Sequence, residues 1–221
     1  MSAESATGLV LRCRPLTETS LIVHWLTREH GRLATVARGA RRLKSAFRGK
    51  LDAGYRARFA FVRSRRSDLH TLTEVALEET HPALRTDFNR LRAAAYATRL
   101  LEQTTETETP VPGLFALLDE WWRVLDAAPA SPAALAAFEL HLLDALGLRP
   151  DPARTRLPAA VRETLSALLA RPLAATAATP LSSGVARTLD HFLGAFLREH
   201  LGRPPKGREP VWETALASAP A

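Results

Sequence analysis

Leu21-Ile-Val-His-Trp-Leu-Thr-Arg-Glu-His-Gly-Arg-Leu-Ala-Thr-Val-Ala-Arg38 alternates inward and outward side chains on both sides of a turn. Leu21, Val23 and Trp25 share one face, and Ile22, His24 and Leu26 share the other. Glu29-His30-Gly31-Arg32 is the turn, with Gly31 free to take a positive φ. Leu33, Thr35 and Ala37 then resume the inward face. This is the pattern of an antiparallel hairpin with one side buried.

The same period extends outward in both directions. Leu9, Leu11 and Cys13 alternate with Val10, Arg12 and Arg14. Tyr55, Ala57, Phe59 and Phe61 alternate with Arg56, Arg58, Ala60 and Val62. After a turn at Arg65-Arg66-Ser67-Asp68, Leu69, Thr71, Thr73, Val75 and Leu77 alternate again. Five short strands in about 70 residues suit a small barrel of the OB type, a common platform for nucleic acid. Gly39 to Gly49 breaks the alternation as a mobile basic loop holding Leu43 and Phe47. Phe47 suits base stacking, but a core role plugging the barrel end with Leu43 is the stronger expectation.

Beyond Pro82 the period becomes helical. Phe88, Leu91, Ala95 and Leu101 form one stripe. Pro110-Val111-Pro112-Gly113 reads as a linker, and Leu114, Leu117, Leu118, Trp121 and Leu125 form the next stripe. Ser131-Pro132 is a cap followed by a first helical position, and Gly147 closes that helix. Pro158 opens a shorter helix, and Ser182 or Ser183 caps the last, which stops at Gly202. The expected class is α+β multidomain: an OB-fold barrel at 1–80, an all-helical domain at 81–208, and a flexible Pro- and Ala-rich tail at 209–221.

The 221 residues carry a formal net charge of +7, which favours a polyanionic partner. That charge is local. Arg28 to Arg66 holds 13 basic residues against Glu29 and Asp52, whereas Ser67 to the end holds 15 basic and 19 acidic. A one-sign surface gathered on one domain is the footprint of a nucleic-acid site. The candidate phosphate ligands are Arg38, Arg41, Arg42, Lys44, Arg48 and Lys50. Arg56, Arg58, Arg63 and Arg65 would extend the track, although alternation sets Arg56 and Arg58 apart from Arg63 and Arg65. The arginine excess over lysine, 27 to 3, reads as genomic GC content.

Other chemistry finds no foothold. The single cysteine, Cys13, rules out an internal disulfide or a thiolate zinc site. The seven histidines are scattered, and no phosphate-cradling glycine loop occurs. Glu139 and His141 on one helix read as satisfied structural groups. No signal peptide and no apolar run of about 20 residues is present, so the expectation is a cytoplasmic, nucleoid-associated protein with no membrane partner.

Two blocks carry a resemblance: Gly31-Arg-Leu-Ala-Thr-Val-Ala-Arg-Gly-Ala-Arg-Arg42 and Phe138-Glu-Leu-His-Leu-Leu-Asp-Ala-Leu-Gly-Leu-Arg-Pro150. Leu9 to Arg14, Thr17 to Val23 and the helix running through Leu201-Gly202 to Arg208 support them. The sequence resembles the bacterial recombination mediator RecO, along nearly the whole chain up to Arg208. The resemblance implies an OB domain followed by a helical domain. It implies binding of single- and double-stranded DNA, annealing of complementary strands, and, with RecR, help to RecA in replacing single-strand-binding protein. It also implies docking of that protein's acidic tail, for which the helical domain offers Arg123, Arg187 and Arg198 as weak rim candidates. Many members carry four zinc-binding cysteines after the Leu-Gly-x-x-Pro block. Here Asp151-Pro-Ala-Arg154 follows instead, so no cofactor is expected.

The competing class is a basic protein-interaction adaptor that docks acidic tails and binds nucleic acid only weakly. A nuclease would need metal-binding carboxylates beside the basic face, where Glu29 and Asp52 are the only acids.

Overall fold

The computed structural model describes residues 3–204 and 206–217. They fall into two compact units. The first comprises residues up to His81 together with Thr105–Asp119, and the second comprises Pro82–Thr104 and the chain from Glu120 onward.

The first unit is a closed five-stranded barrel. Its strands are β1 (Ala3–Pro15), β2 (Leu21–Thr27), β3 (Gly31–Ala37), β4 (Arg56–Val62) and β5 (Leu69–Glu79), in the order β1-β2-β3-β5-β4. Strand β1 pairs with β4 through its first half and with β2 through its second, turning at an irregularity between Val10 and Arg12. One bent strand thus serves both sides, which is how a five-stranded sheet closes without an edge. The pair β3–β5 is parallel and the others are antiparallel. This is the OB architecture the alternation predicts.

Inside sit Val10, Val23, Trp25, Leu33, Phe59, Phe61 and Leu72. Trp25 stacks on Phe59 with centroids 4.1 Å apart, and its indole N–H donates to Thr35 Oγ1 at 2.9 Å. Gly8 makes room for that stack: a Cβ there would lie 2.8 Å from Phe59 and 3.0 Å from Trp25.

The break near residue 80 is not the end of the barrel unit. Residues 105–109 return to the barrel edge, where Thr107 bridges Arg32 in parallel and the Glu108 N–H donates to Arg32 O at 2.7 Å. The β2–β3 turn accepts this segment because Gly31, at φ +66, has no side chain; a Cβ would meet Thr109 O at 2.0 Å. Gly31→Ala therefore combines a left-handed backbone penalty with a backbone clash. It is expected to destabilise the barrel by roughly 2–4 kcal/mol. Urea unfolding of the variant checks this, and an unchanged midpoint would contradict the packing.

The second unit is helical. It holds α1 (Ala83–Thr86), α2 (Phe88–Thr104), α4 (Pro132–Ala145), α5 (Ala159–Ala170), α6 (Leu173–Thr176), α7 (Ser183–Leu201) and α8 (Arg208–Ala217). The division between the units falls within α3 (Pro112–Ala127), so Pro112-Gly113 opens a helix and is not linker. Ser131 caps α4 by accepting from the Ala134 N–H, and Ser182 does the same for α7 from Val185.

Helix α4 is the centre of this unit. Every residue from Pro132 to Leu140 is buried, which suits a sequence apolar all round. The exception in character is Glu139, fully buried at 0 % exposure. Its carboxylate accepts from Tyr96 Oη at 2.7 Å, Trp212 Nε1 at 3.0 Å, and Arg208 Nε and Nη2 at 2.9 Å each. Arg208 also donates to Asp190 Oδ1 at 2.6 Å. Burial opposes the charge on Arg208, but Glu139 outweighs it and holds the guanidinium pKa above its ordinary value. Burial and the Glu139 charge push the Tyr96 phenol well up.

The expected flexible tail needs correction. Residues 208–217 form α8, with Val211, Trp212 and Ala215 buried. Arg208 and Trp212 from this helix close on a buried carboxylate that would otherwise keep only the neutral Tyr96 hydroxyl, and that fixes the helix. Residues 218–221 lie outside the described residues.

Candidate nucleic-acid interface

The β3–β4 connection carries the candidate cations, and it is folded into successive turns. Arg42 N donates to Gly39 O, Ser45 N to Arg42 O, Arg48 N to Ser45 O and Lys50 N to Phe47 O, at 3.0–3.2 Å. Arg41 ties the loop to the β1–β2 turn, with its N–H on Thr19 O at 3.0 Å and a guanidinium N–H on Thr17 O at 3.2 Å. The loop expected to be mobile is thus braced at both levels. Phe47 packs against the barrel core with Ala40, Leu51 and Tyr55. Leu43 does not share that role: it is 81 % exposed.

Arg38, Arg41, Arg42, Lys44 and Arg48 are exposed, and Lys50 is half-buried. Among the described residues none of these six forms an ion pair with a carboxylate. Arg48 is oriented by donating to Leu43 O at 3.1 Å. The structure therefore gathers six cations on one braced loop, with their charge uncommitted.

The extended track does not assemble. Arg56 is bound to Glu78 at 2.9 Å, Asp119 at 3.1 Å and Glu79 at 3.3 Å. Arg63 grips Glu4 with two bonds, at 3.0 and 3.1 Å, and meets Glu108 at 2.7 Å. The hydrogen bond from Arg63 holds the Glu4 carboxyl below its usual value. These two arginines are internal ties of the barrel, with their charge already met. Arg65 is exposed, but the β4–β5 turn that carries it leaves the sheet where Val62 pairs with Ala3. The cation loop leaves β3 at Ala37, opposite Leu21, which in turn pairs with Pro15 at the far end of β1. Arg63 and Arg65 thus lie at the other end of β1 from the point where the loop leaves β3. Arg58 stays exposed on the outer face of β4. It lines a groove of about 450 Å³ with Phe47, Lys50, Ser5, Ala60 and Glu74.

Sequence reading missed a second set of cations. His24 on β2 pairs across from Arg12 on β1, and Arg14 and Arg32 also act on it. Burial, then the charges of Arg12, Arg14 and Arg32, pull the His24 pKa from 6.5 down to about 4. Alternation already placed Arg12, Arg14 and His24 on one outer face; only strand pairing shows them as neighbours. The linkage has a definite sign. The unfolded chain takes up the proton first, so stability present above pH 6.5 drains away as pH falls towards 4. Between pH 6.5 and 4.5 the thermal midpoint is expected to fall less in His24→Gln than in the parent. Equal falls in melts at the two pH values would contradict the assignment.

Cys13 is inert: burial, then the charge of Asp52, raises its thiol to about 12. Among the described residues no three His, Cys, Asp or Glu side chains gather to hold a metal ion. Where zinc ligands would follow Pro150, Asp151 instead caps a short 3-10 turn at Pro152–Arg154 by accepting from Ala153 N at 2.9 Å. These residues do not fit a zinc ion. Among the described residues no helix is long and apolar enough to cross a membrane.

Comparison with known proteins finds two family models in order along the chain. Residues 1–81 match the family model described as Recombination protein O N terminal, and residues 85–153 match Recombination protein O C terminal. The chain is 40% identical over 163 residues to the DNA repair protein RecO of Anaeromyxobacter dehalogenans strain 2CP-C, covering 73% of this chain and 62% of that one. It is 38% identical over 143 residues to the protein of the same name from Myxococcus xanthus, covering 65% and 58%. With that from Bacillus pumilus the identity is 33% over 144 residues, covering 65% and 56%. The matched part thus spans somewhat under two thirds of the length of these relatives. With both family models matched in order along the chain, the protein belongs to the recombination protein O (RecO) family.

Proposed function

We propose that this protein is a DNA-binding recombination mediator in DNA repair. It holds the sugar–phosphate chain with the cations of the β3–β4 loop and carries out no covalent step. The observation that carries the reading is the loop itself: Arg38, Arg41, Arg42, Lys44, Arg48 and Lys50 on one braced segment, none of them ion-paired among the described residues. A cluster of uncommitted cations raises the local potential that draws a polyanion, and a phosphate chain is such a partner. The name DNA repair protein RecO borne by the relatives supports the same direction.

Neutralising the charge of two strands lowers the repulsion between them, which is a physical route to annealing. In this reading the protein anneals complementary strands and, with RecR, assists RecA in displacing single-strand-binding protein from single-stranded DNA. It takes that protein's acidic tail on its helical unit and acts at the nucleoid. The test is annealing of complementary oligonucleotides coated with single-strand-binding protein. The parent should accelerate annealing, and a variant with Arg38, Arg41 and Arg42 changed to glutamate should not. Unchanged annealing by the variant removes the loop from the mechanism.

A further inference from the structure

The groove beside the cation loop holds more than charge. Its lining brings together an aromatic ring (Phe47), two cations (Lys50 and Arg58), two hydroxyls (Ser5 and Thr73) and one carboxylate (Glu74). Three elements build it: β1 gives Ser5, β4 gives Arg58 and Ala60, and β5 gives Thr73 to Ala76. The loop completes it with Ala46, Phe47 and Lys50. In the sheet register Ser5, Ala60 and Glu74 lie side by side across β1, β4 and β5, and Arg58 pairs with Ala76. Among the described residues neither Lys50 nor Arg58 forms an ion pair, and neither does Glu74.

We propose that this groove seats one unpaired nucleobase with its adjoining phosphate, and so gives the barrel a preference for single strands. The proposal rests on the DNA-binding reading above and deepens it. Its volume of about 450 Å³ lies within the range of roughly 300–1,000 Å³ found for pockets that hold small organic groups. Two cations and one carboxylate leave a single positive charge in the lining. That matches one phosphodiester, and it disfavours a doubly charged free phosphate. An aromatic side chain is the usual platform for a base in sequence-tolerant binding, because every base presents a π face. Glu74 adds the selection for unpaired bases. Each of the four bases carries an N–H donor on its pairing edge, and in a duplex that donor is already engaged by the complementary base. A duplex still shows the second hydrogen of an adenine or cytosine amino group in its major groove, but the pairing edge itself is open to a carboxylate in a narrow groove only when the base is unpaired. Phe47 packs partly against the barrel core, so the ring is held in place before the base arrives.

The test compares three probes at one salt concentration by fluorescence anisotropy: a single-stranded oligonucleotide, the same backbone with abasic sugars throughout, and the duplex. The parent should bind the base-bearing strand on the order of tenfold more tightly than the abasic one. Phe47→Leu keeps an apolar body against the core and should erase that difference, while its binding of the abasic strand holds. Phe47→Trp keeps a ring and should retain the difference. Glu74→Ala, at an exposed strand position, should narrow the gap between single strand and duplex. Equal binding of abasic and base-bearing strands by the parent would overturn the seat while leaving loop binding intact. So would a base preference that survives in Phe47→Leu. If the parent binds none of the three probes, the DNA-binding reading falls and the seat falls with it.

Discussion

Glu139→Ala is expected to lower the stability of the helical unit by about 3–5 kcal/mol, the usual result of removing one partner from a buried ion pair. The residue sits at 0 % exposure in the middle of α4, and Arg208 at 7 %. Without the carboxylate, Arg208 keeps Asp190 alone, and the Tyr96 hydroxyl and Trp212 indole N–H lose their acceptor. Each buried donor left unmet adds its own cost. Helix α8 should loosen first, because this node holds its buried start, leaving Arg92, which donates to Pro210 O and Thr214 Oγ1, as a half-exposed tie. Differential scanning calorimetry should show the transition of this unit falling on the order of 10–20 °C. Trp212 fluorescence should shift to the red as the ring meets water. The double replacement Glu139→Leu with Arg208→Met removes both charges together, and it should cost much less than either single change. A single variant as stable as the parent would mean that α8 is not held by this carboxylate.

The second large effect concerns binding. Changing Arg41, Arg42 and Arg48 to glutamate removes three phosphate contacts and places three like charges beside the DNA. Loss of affinity for DNA by a factor on the order of 10³ or more is expected at 50 mM salt. The fold should survive, because these side chains are exposed and the turns are held by backbone bonds from Arg42, Ser45, Arg48 and Lys50. Arg41 and Arg48 are partial exceptions, since their guanidinium groups also donate to Thr17 O and Leu43 O. Arg42 and Arg48 changed alone leave the tie to the β1–β2 turn intact. Arg56→Glu and Arg63→Glu are the contrasting controls. They break ties to Glu78, Asp119, Glu4 and Glu108, so they should lower barrel stability before they touch affinity.

Much of the barrel is legible in the sequence because its signals are local. Leu21 to Ala37 announces a hairpin by period two around Gly31, and β4 and β5 repeat the pattern. Strand β1 is harder. Ser5, Ala6, Thr7 and Gly8 are too small to show a face, yet they pair with Ala60 to Ala57 and form half of the closure. Gly8 is small because Trp25 and Phe59 stack against it, a reason that lies across the sheet.

The charge count located the loop but could not sort its members. Arg56 and Arg63 read like the other cations of the segment. Their partners Asp119, Glu108 and Glu4 are 63, 45 and 59 residues away, so no local window holds both ends. The same distance hid α8. The chain beyond Arg203 reads as a Pro- and Ala-rich tail, and Trp212 gains meaning only from Glu139, 73 residues earlier. Glu139 itself was legible only as a satisfied group. The groove was out of reach for the same reason, because Ser5, Phe47, Arg58 and Glu74 meet through sheet register and not through sequence spacing.

The affinity for a single-stranded oligonucleotide, measured across salt concentrations from 50 to 200 mM, bears most directly on the central claim that loop cations meet DNA phosphates. Six engaged cations should give a log–log slope of about −4, and loss of Arg42 and Arg48 should make it shallower by roughly one to two. A slope near zero in the parent, or one that the Arg42 and Arg48 changes leave untouched, would contradict the account.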